Sequence, residues 1–170
     1  MTKLADPITI RNYVPDDLAA CRALWVELTD WHRELYDNPS IGGKHPGLQF
    51  DDHLHRVGPE HLWVATIGDR VVGLAGMIPG DREAELEPVV VSQAFRGRGI
   101  GLELAQSVVA HAKAAGVRFL SARPVARNAG AVRFFHRLGF RVLGHIELLA
   151  DFAGRDWQSG HNLAGRDFQL

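Results

Sequence analysis

VVVSQAFRGRGIGLEL, residues 89–104, is the stretch on which the reading of this chain turns. Three valines begin as an apolar strand and a Ser-Gln-Ala turn follows. Arg96-Gly97-Arg98-Gly99-Ile100-Gly101 then leads straight into a helical pattern. A strand that delivers a glycine-rich turn to a helix start builds an anion site. The first backbone N–H groups of a helix lack internal partners, the helix dipole is positive there, and glycine lets a phosphate approach closely. Arg96 and Arg98 add cations at the same place. Alternating glycines at a helix start weaken the helix, so a plain turn accounts for them poorly. The stretch is expected to grip the pyrophosphate of a cofactor.

Working outward, residues 61–67 and 70–78 read as two strands joined by a Gly68-Asp69 turn, and residues 84–91 as a third strand of the same antiparallel meander. Toward the N-terminus, residues 7–12 alternate apolar and polar side chains as a first strand. Pro15-Asp16-Asp17 starts a helix whose stripe is Leu18, Cys21, Trp25 and Leu28, with Asp17, Arg22 and Glu27 on the other side. A second helical piece is expected over residues 29–36. Residues 37–59 carry many turn signals, with a helical turn or two over 50–56, and form a candidate substrate-side loop. Beyond the opening stretch, the helix over residues 98–115 presents Ile100, Leu104, Val108 and Ala112 on one face and stops at Gly116. Residues 117–123 read as a strand reached by a crossover, hence parallel to its predecessor. Asn128 caps another helix, which Gly139 ends. Residues 140–149 read as a final long strand with Phe140, Val142, Ile146 and Leu148 on one face, and residues 162–168 as one further strand.

At 170 residues, with 46% apolar and 23% charged content, the chain reads as one soluble domain spanning 1–170. A formal net charge of −1 supplies no global field toward nucleic acid or an anionic membrane, so neither is an expected partner. The single cysteine, Cys21, cannot form an internal disulfide, and no run has the length of a signal peptide or a membrane span. A cytoplasmic location is the expectation. His53, His55 and His61 lack helical i, i+4 spacing and a supporting cysteine, so no metal site is expected.

Two familiar phosphate motifs do not fit. A dinucleotide-binding turn needs G-x-G-x-x-G, but after Gly97 and Gly99 the third position is Leu102. A P-loop run is absent altogether. What stands here is Arg-x-x-Gly-x-Gly, as Arg96, Gly99 and Gly101. It resembles the acetyl-coenzyme A turn of the GNAT N-acetyltransferase superfamily, Gln/Arg-x-x-Gly-x-Gly/Ala. That family's next helix reads roughly Asn-x-x-Ala-x-x-Leu/Phe-Tyr-x-x-Leu/Phe-Gly-Phe. Here Asn128, Ala131, Phe134, Leu138, Gly139 and Phe140 match, and Phe135 replaces the tyrosine. The two elements cover about residues 85–140, and in this order and separation they are far more specific than a glycine turn alone.

The resemblance implies an α/β (α+β) fold with a mixed, mostly antiparallel sheet of six to seven strands, flanked by helices. The fourth and fifth strands would splay to admit the cofactor, and Pro88 would mark a bulge. It implies that acetyl-CoA is the acyl donor. Backbone groups of Val89, Val90 and Val91 would hold the pantetheine arm, N–H groups of Gly97, Arg98, Gly99, Ile100, Gly101 and Leu102 the pyrophosphate, and the Asn128 amide the pantetheine. By the same resemblance the acceptor would be a primary amine of a small molecule, peptide or protein, and a homodimer is among the assemblies the family forms.

Transfer to an amine needs a neutral amine, and a carboxylate acting directly or through water supplies it. Glu87 is the first candidate base and Glu85, on the same strand face, the second. A family tyrosine serves as general acid toward the departing thiolate. Phe135 has the ring without the proton, which leaves Ser107, Tyr36, water, or no acid at all. A catalytically weak acyl-CoA-binding module is therefore the alternative. Trp31, Tyr36 and Trp157 are candidate acceptor-pocket side chains.

Overall fold

A computed structural model describes residues 7–170, in two compact units that meet at Ala122 and Arg123. The first carries β1 (Ile8–Asn12), α1 (Leu18–Tyr36), α2 (Gln49–Val57), β2 (Leu62–Ile67), β3 (Arg70–Ile78), β4 (Glu83–Val91), α3 (Ile100–Ala114) and β5 (Phe119–Ser121). The sheet order is β1-β2-β3-β4-β5, antiparallel from β1 to β4 and parallel between β4 and β5. The parallel pair follows from the α3 crossover.

The helical stripe of α1 and the meander make one core. Cys21 and Leu24 of α1 pack with Phe50 and Val57 of α2 and with Leu62, Val64, Leu74 and Val90 of the sheet. The other face belongs to α3, whose Ile100, Leu104, Ala105, Val108 and Ala112 are buried. Gly73 marks the close approach there: a Cβ on it would stand 2.9 Å from Leu104 Cδ1. Since successive strand residues face opposite ways, Gly73 points to α3 and Leu74 to α1 and α2.

The two expected helical pieces before residue 37 are one continuous helix, ended by Asp37 in the left-handed region at φ 48°. A short 3-10 turn over Pro15–Asp17 leads into it. The turn-rich segment beyond is well tied. Arg33 donates from Nε to the Ile41 carbonyl at 2.8 Å and from Nη2 to that of Gly43 at 2.7 Å. Arg22 of α1 donates from Nε to Asp51 of α2 at 2.8 Å.

Asp17, 5% exposed, receives both outer nitrogens of Arg11 at 2.7 and 2.8 Å and the Val14 N–H at 2.9 Å. The Arg11 guanidinium holds this carboxyl below its ordinary value of 3.8. Its contribution to stability is therefore complete above that value and is lost as the pH falls through the lower folded value. Asp17→Asn is expected to lower stability by about 1–2 kcal/mol at pH 7 and to match the parent at the acid end. Urea melts from pH 7 down to pH 2 check it, and parallel curves for the two proteins would disprove it.

The second unit holds α4 (Ala129–Arg137) and a hairpin of β6 (Ser159–Leu163) and β7 (Arg166–Gln169). Two expectations are corrected here. The main sheet has five strands among the described residues, not six to seven, because residues 140–149 form no strand. Their alternation supplies an apolar face, but a strand exists only against a partner edge, and here Val142 and Leu143 are 92% and 81% exposed. The expected strand over residues 162–168 is instead the hairpin. Ala164 and Gly165 both lie in the left-handed region, at φ 51° and 74°, which is the backbone of a two-residue hairpin turn.

Candidate active site

The fourth strand is bent where the sequence reading placed a bulge. Ala75 pairs with Val89 and Met77 with Leu86, so Gly76 alone opposes both Glu87 and Pro88. A Cβ on Gly76 would stand 2.7 Å from the Glu87 carbonyl oxygen and 3.1 Å from Pro88 Cδ. Only glycine allows that approach. Pro88 brings no N–H to the ladder, and the two-residue period of the strand ahead of the bulge puts both carboxylates on one side. Glu85 sits opposite Ile78, which packs against the core of α1 and α2, and Glu87 sits opposite Gly76. Glu85 and Glu87 thus share the face covered by α1, both half-buried. No hydrogen bond or ion pair among the described residues engages the Glu87 carboxylate.

The fifth strand pairs with β4 only from Glu83 to Glu85, against Phe119 to Ser121, while β4 runs on to Val91. Beyond Glu85, the edge of β4 away from β3 is therefore open within the first unit. The Val91 carbonyl accepts from Arg96 Nε at 2.9 Å, which folds Arg96 back onto the strand end.

The turn after β4 is braced from two sides. Glu27 of α1 accepts from Ser92 Oγ at 2.9 Å and from the Gln93 N–H at 2.8 Å. The sequence reading had put Glu27 on the outer side of α1. Phe95 carries the guanidinium of Arg70 at 4.9 Å from its ring centre and that of Arg98 at 5.2 Å. Gly97 and Gly99 lie at φ 77° and 84°, and a Cβ built on either meets nothing within 4 Å. Gly99 caps α3 with no side-chain bond. No hydrogen bond among the described residues takes the N–H groups of Gly97, Arg98, Gly99, Ile100 or Gly101, whereas that of Leu102 donates to the Gly99 carbonyl at 2.9 Å. The result is a row of free donors at a helix start, with open space in front of the two glycines. That is the room a pyrophosphate requires, so the chain fits the group its motif implies.

In the second unit, Asn128 caps α4 by accepting the Ala131 N–H on Oδ1 at 2.9 Å. Phe135 meets Phe134 and Phe140 edge to face, with ring centres 5.2 and 5.5 Å apart. Trp157 donates from Nε1 to Asp151 at 2.8 Å, with Arg127 over its ring. Trp31 and Tyr36, on α1, are exposed.

The histidines separate by environment. His53 is buried at ring-to-ring distance of 5.0 Å from Trp25, and burial pushes it down to about 4, so it is a neutral core residue. His61 bonds the Val57 carbonyl through Nδ1 at 2.6 Å. His32, which the sequence reading passed over, is half-buried on α1. Burial holds it below its ordinary 6.5, and the charge of Glu87 pulls the other way. Its spacing was the available signal, since it continues the stripe of Cys21, Trp25 and Leu28. A separate cavity of about 660 Å³ opens between α1 and the β2–β3 turn, touching the braced turn at Glu27 and Ser92.

The profile of the acetyltransferase (GNAT) family matches residues 25–140. Over 78 residues the chain is 35% identical to an uncharacterized N-acetyltransferase of Methanocaldococcus jannaschii, a span of 46% of this chain and 30% of that one. Over 89 residues it is 31% identical to N-acetyltransferase 8B of Rattus norvegicus, covering 49% of this chain and 40% of the relative. These matches span less than half the length of either relative. In fold it is similar to the crystal structure of the PaiA N-acetyltransferase of Thermoplasma acidophilum in complex with coenzyme A, with TM-score 0.67, 19% identity, and 81% and 91% of the two chains covered. The strand, bulge and glycine turn all lie inside the matched residues, and the chain belongs to the GNAT acetyltransferase family.

Proposed function

We propose that the protein transfers an acetyl group from acetyl-CoA to a primary amine. The observation that carries this is the open donor row from Gly97 to Gly101, continuous with a strand edge that is unpaired within its unit beyond Glu85. Family membership and the coenzyme A complex of the PaiA relative support the same reading. Backbone groups of Val89 and Val90 hold the pantetheine arm, and the turn donors with Arg98 hold the pyrophosphate. The thioester, when bound, supplies an acyl group activated toward attack. Glu87, at the bulge and free of protein partners, helps remove the proton of the incoming ammonium, with Glu85 the second candidate. A backbone N–H near Val89 polarises the acyl oxygen. No hydroxyl stands at Phe135, so the thiolate leaves without that acid. The acceptor is a small amine or a peptide amine.

Coenzyme A near 100 times its dissociation constant is expected to stabilise the protein by about 2.7 kcal/mol, several degrees in Tm, where ATP and NAD give no comparable shift. Thiol release from acetyl-CoA is then followed against a panel of amines. An unchanged Tm with coenzyme A sinks the cofactor assignment. Tight binding without turnover on any amine would instead favour an acyl-CoA-binding module.

A further inference from the structure

We propose that His32 of α1 is the group that accepts the proton of the incoming amine, with the Glu87 carboxylate stabilising the imidazolium that forms. The inference rests on the acetyl-transfer reading and names the proton's destination. Three observations place the pair together. Cys21, Trp25, Leu28 and His32 recur at four, three and four residues, so His32 extends the sheet-facing stripe of α1 by one turn. Glu27 pins the same helix to Ser92 and Gln93 at the end of β4. Glu87 lies on the face of β4 that α1 covers, by its register with Gly76 and that of Glu85 with Ile78, and its negative charge favours the protonated His32 ring.

Both groups are uncommitted. No hydrogen bond among the described residues engages the His32 ring or the Glu87 carboxylate. His61, also half-buried, is by contrast bonded to the Val57 carbonyl through Nδ1. From β4 the carboxylates on this face are Glu85 and Glu87, and Glu87 is the one whose charge reaches the ring. On α1 the residues one turn away are Leu28, Thr29, Leu35 and Tyr36. The charged neighbours in sequence, Arg33 and Glu34, point about 100° and 200° around the helix.

The choice between the two as proton acceptor follows from basicity. A general base works best when its pKa lies near the working pH, and a neutral imidazole is a far stronger base than an ordinary carboxylate. Burial keeps His32 neutral at pH 7, ready to accept, and Glu87 opposes the loss of the imidazolium once formed. In the step, the ammonium gives one proton to His32 and becomes a neutral amine. Its nitrogen forms the bond to the acetyl carbon while the carbon–sulfur bond breaks, the electron pair going to sulfur. The second nitrogen proton passes through water to the thiolate, and the imidazolium returns its proton to bulk water. Amide and thiol are the products. Phe135 then needs no hydroxyl.

The test is the pH dependence of kcat/KM for acetyl-CoA-dependent thiol release with one reactive amine. In the wild type, log kcat/KM should rise with a slope of about one below the His32 pKa and level off above it, because the ammonium is the form that binds and His32 must be neutral to take its proton. His32→Gln should lower kcat about 100-fold, leave the Kd for coenzyme A within about twofold, and abolish the break. His32→Ala should regain activity with added imidazole. Glu87→Gln should move the break to lower pH, because the carboxylate raises the His32 pKa. His32→Gln with wild-type kcat, or with the break intact, overturns the proposal while leaving acetyl transfer standing. No turnover by the wild type on any amine overturns both.

Discussion

Glu87→Gln is expected to lower kcat by about 100-fold while changing the Kd for coenzyme A by no more than about twofold. Glutamine keeps the length and shape of the side chain and removes only the charge. The backbone of the bulge, where Gly76 admits the Glu87 carbonyl and Pro88, is therefore undisturbed. In the proposed mode the cofactor is held elsewhere, by the N–H row of the glycine turn, while the Glu87 side chain lies on the α1 face of the sheet, opposite to α3. Steady-state kinetics with saturating acetyl-CoA, alongside calorimetric binding of coenzyme A, separate the two quantities. Equal turnover in the variant would remove Glu87 from the chemistry. A parallel loss of affinity would make its role structural.

Gly99→Val should weaken coenzyme A binding by about 100-fold or more and lower stability by about 1–2 kcal/mol. Two separate causes act. At φ 84° a β-branched L-residue is strained in the backbone, and this strain appears in the melting temperature without ligand. The space in front of Gly99 is open, so the side chain would fit sterically and stand where a phosphate must approach the N–H groups. Gly97→Ala, at φ 77° with the same open space, should show both effects in milder form. Calorimetry with coenzyme A measures the affinity and thermal melts of the free protein measure the strain. A Gly99→Val protein that is less stable but binds normally would mean the turn has only a conformational role.

Much of the fold was legible because its signals are local. The stripe of α1, the three-strand meander of β2 to β4, the crossover that makes β5 parallel, and the Asn128 cap were all readable from spacing and turn chemistry, and the structure has each of them. Residues 140–149 were misread for the opposite reason. Alternation is a property of the segment, but a strand is a property of a pair of segments, and no ladder partner engages this one. The left-handed Ala164 was equally invisible, since alanine carries no preference for that region and Gly165 alone reads as a break rather than half of a tight turn.

By itself the sequence determined the family and the glycine turn that opens α3, because these depend on spacing along a strand-to-helix connection of a few residues. Tertiary structure alone decided which side chains join it from far along the chain. Glu27 braces a turn 65 residues away, Gly76 shapes the bulge from the neighbouring strand, and α1 lays the stripe that ends in His32 over the face of β4 that carries Glu87. Those meetings follow from how α1 lies across β3 and β4, which is set by the burial of a whole apolar face and not by any short motif.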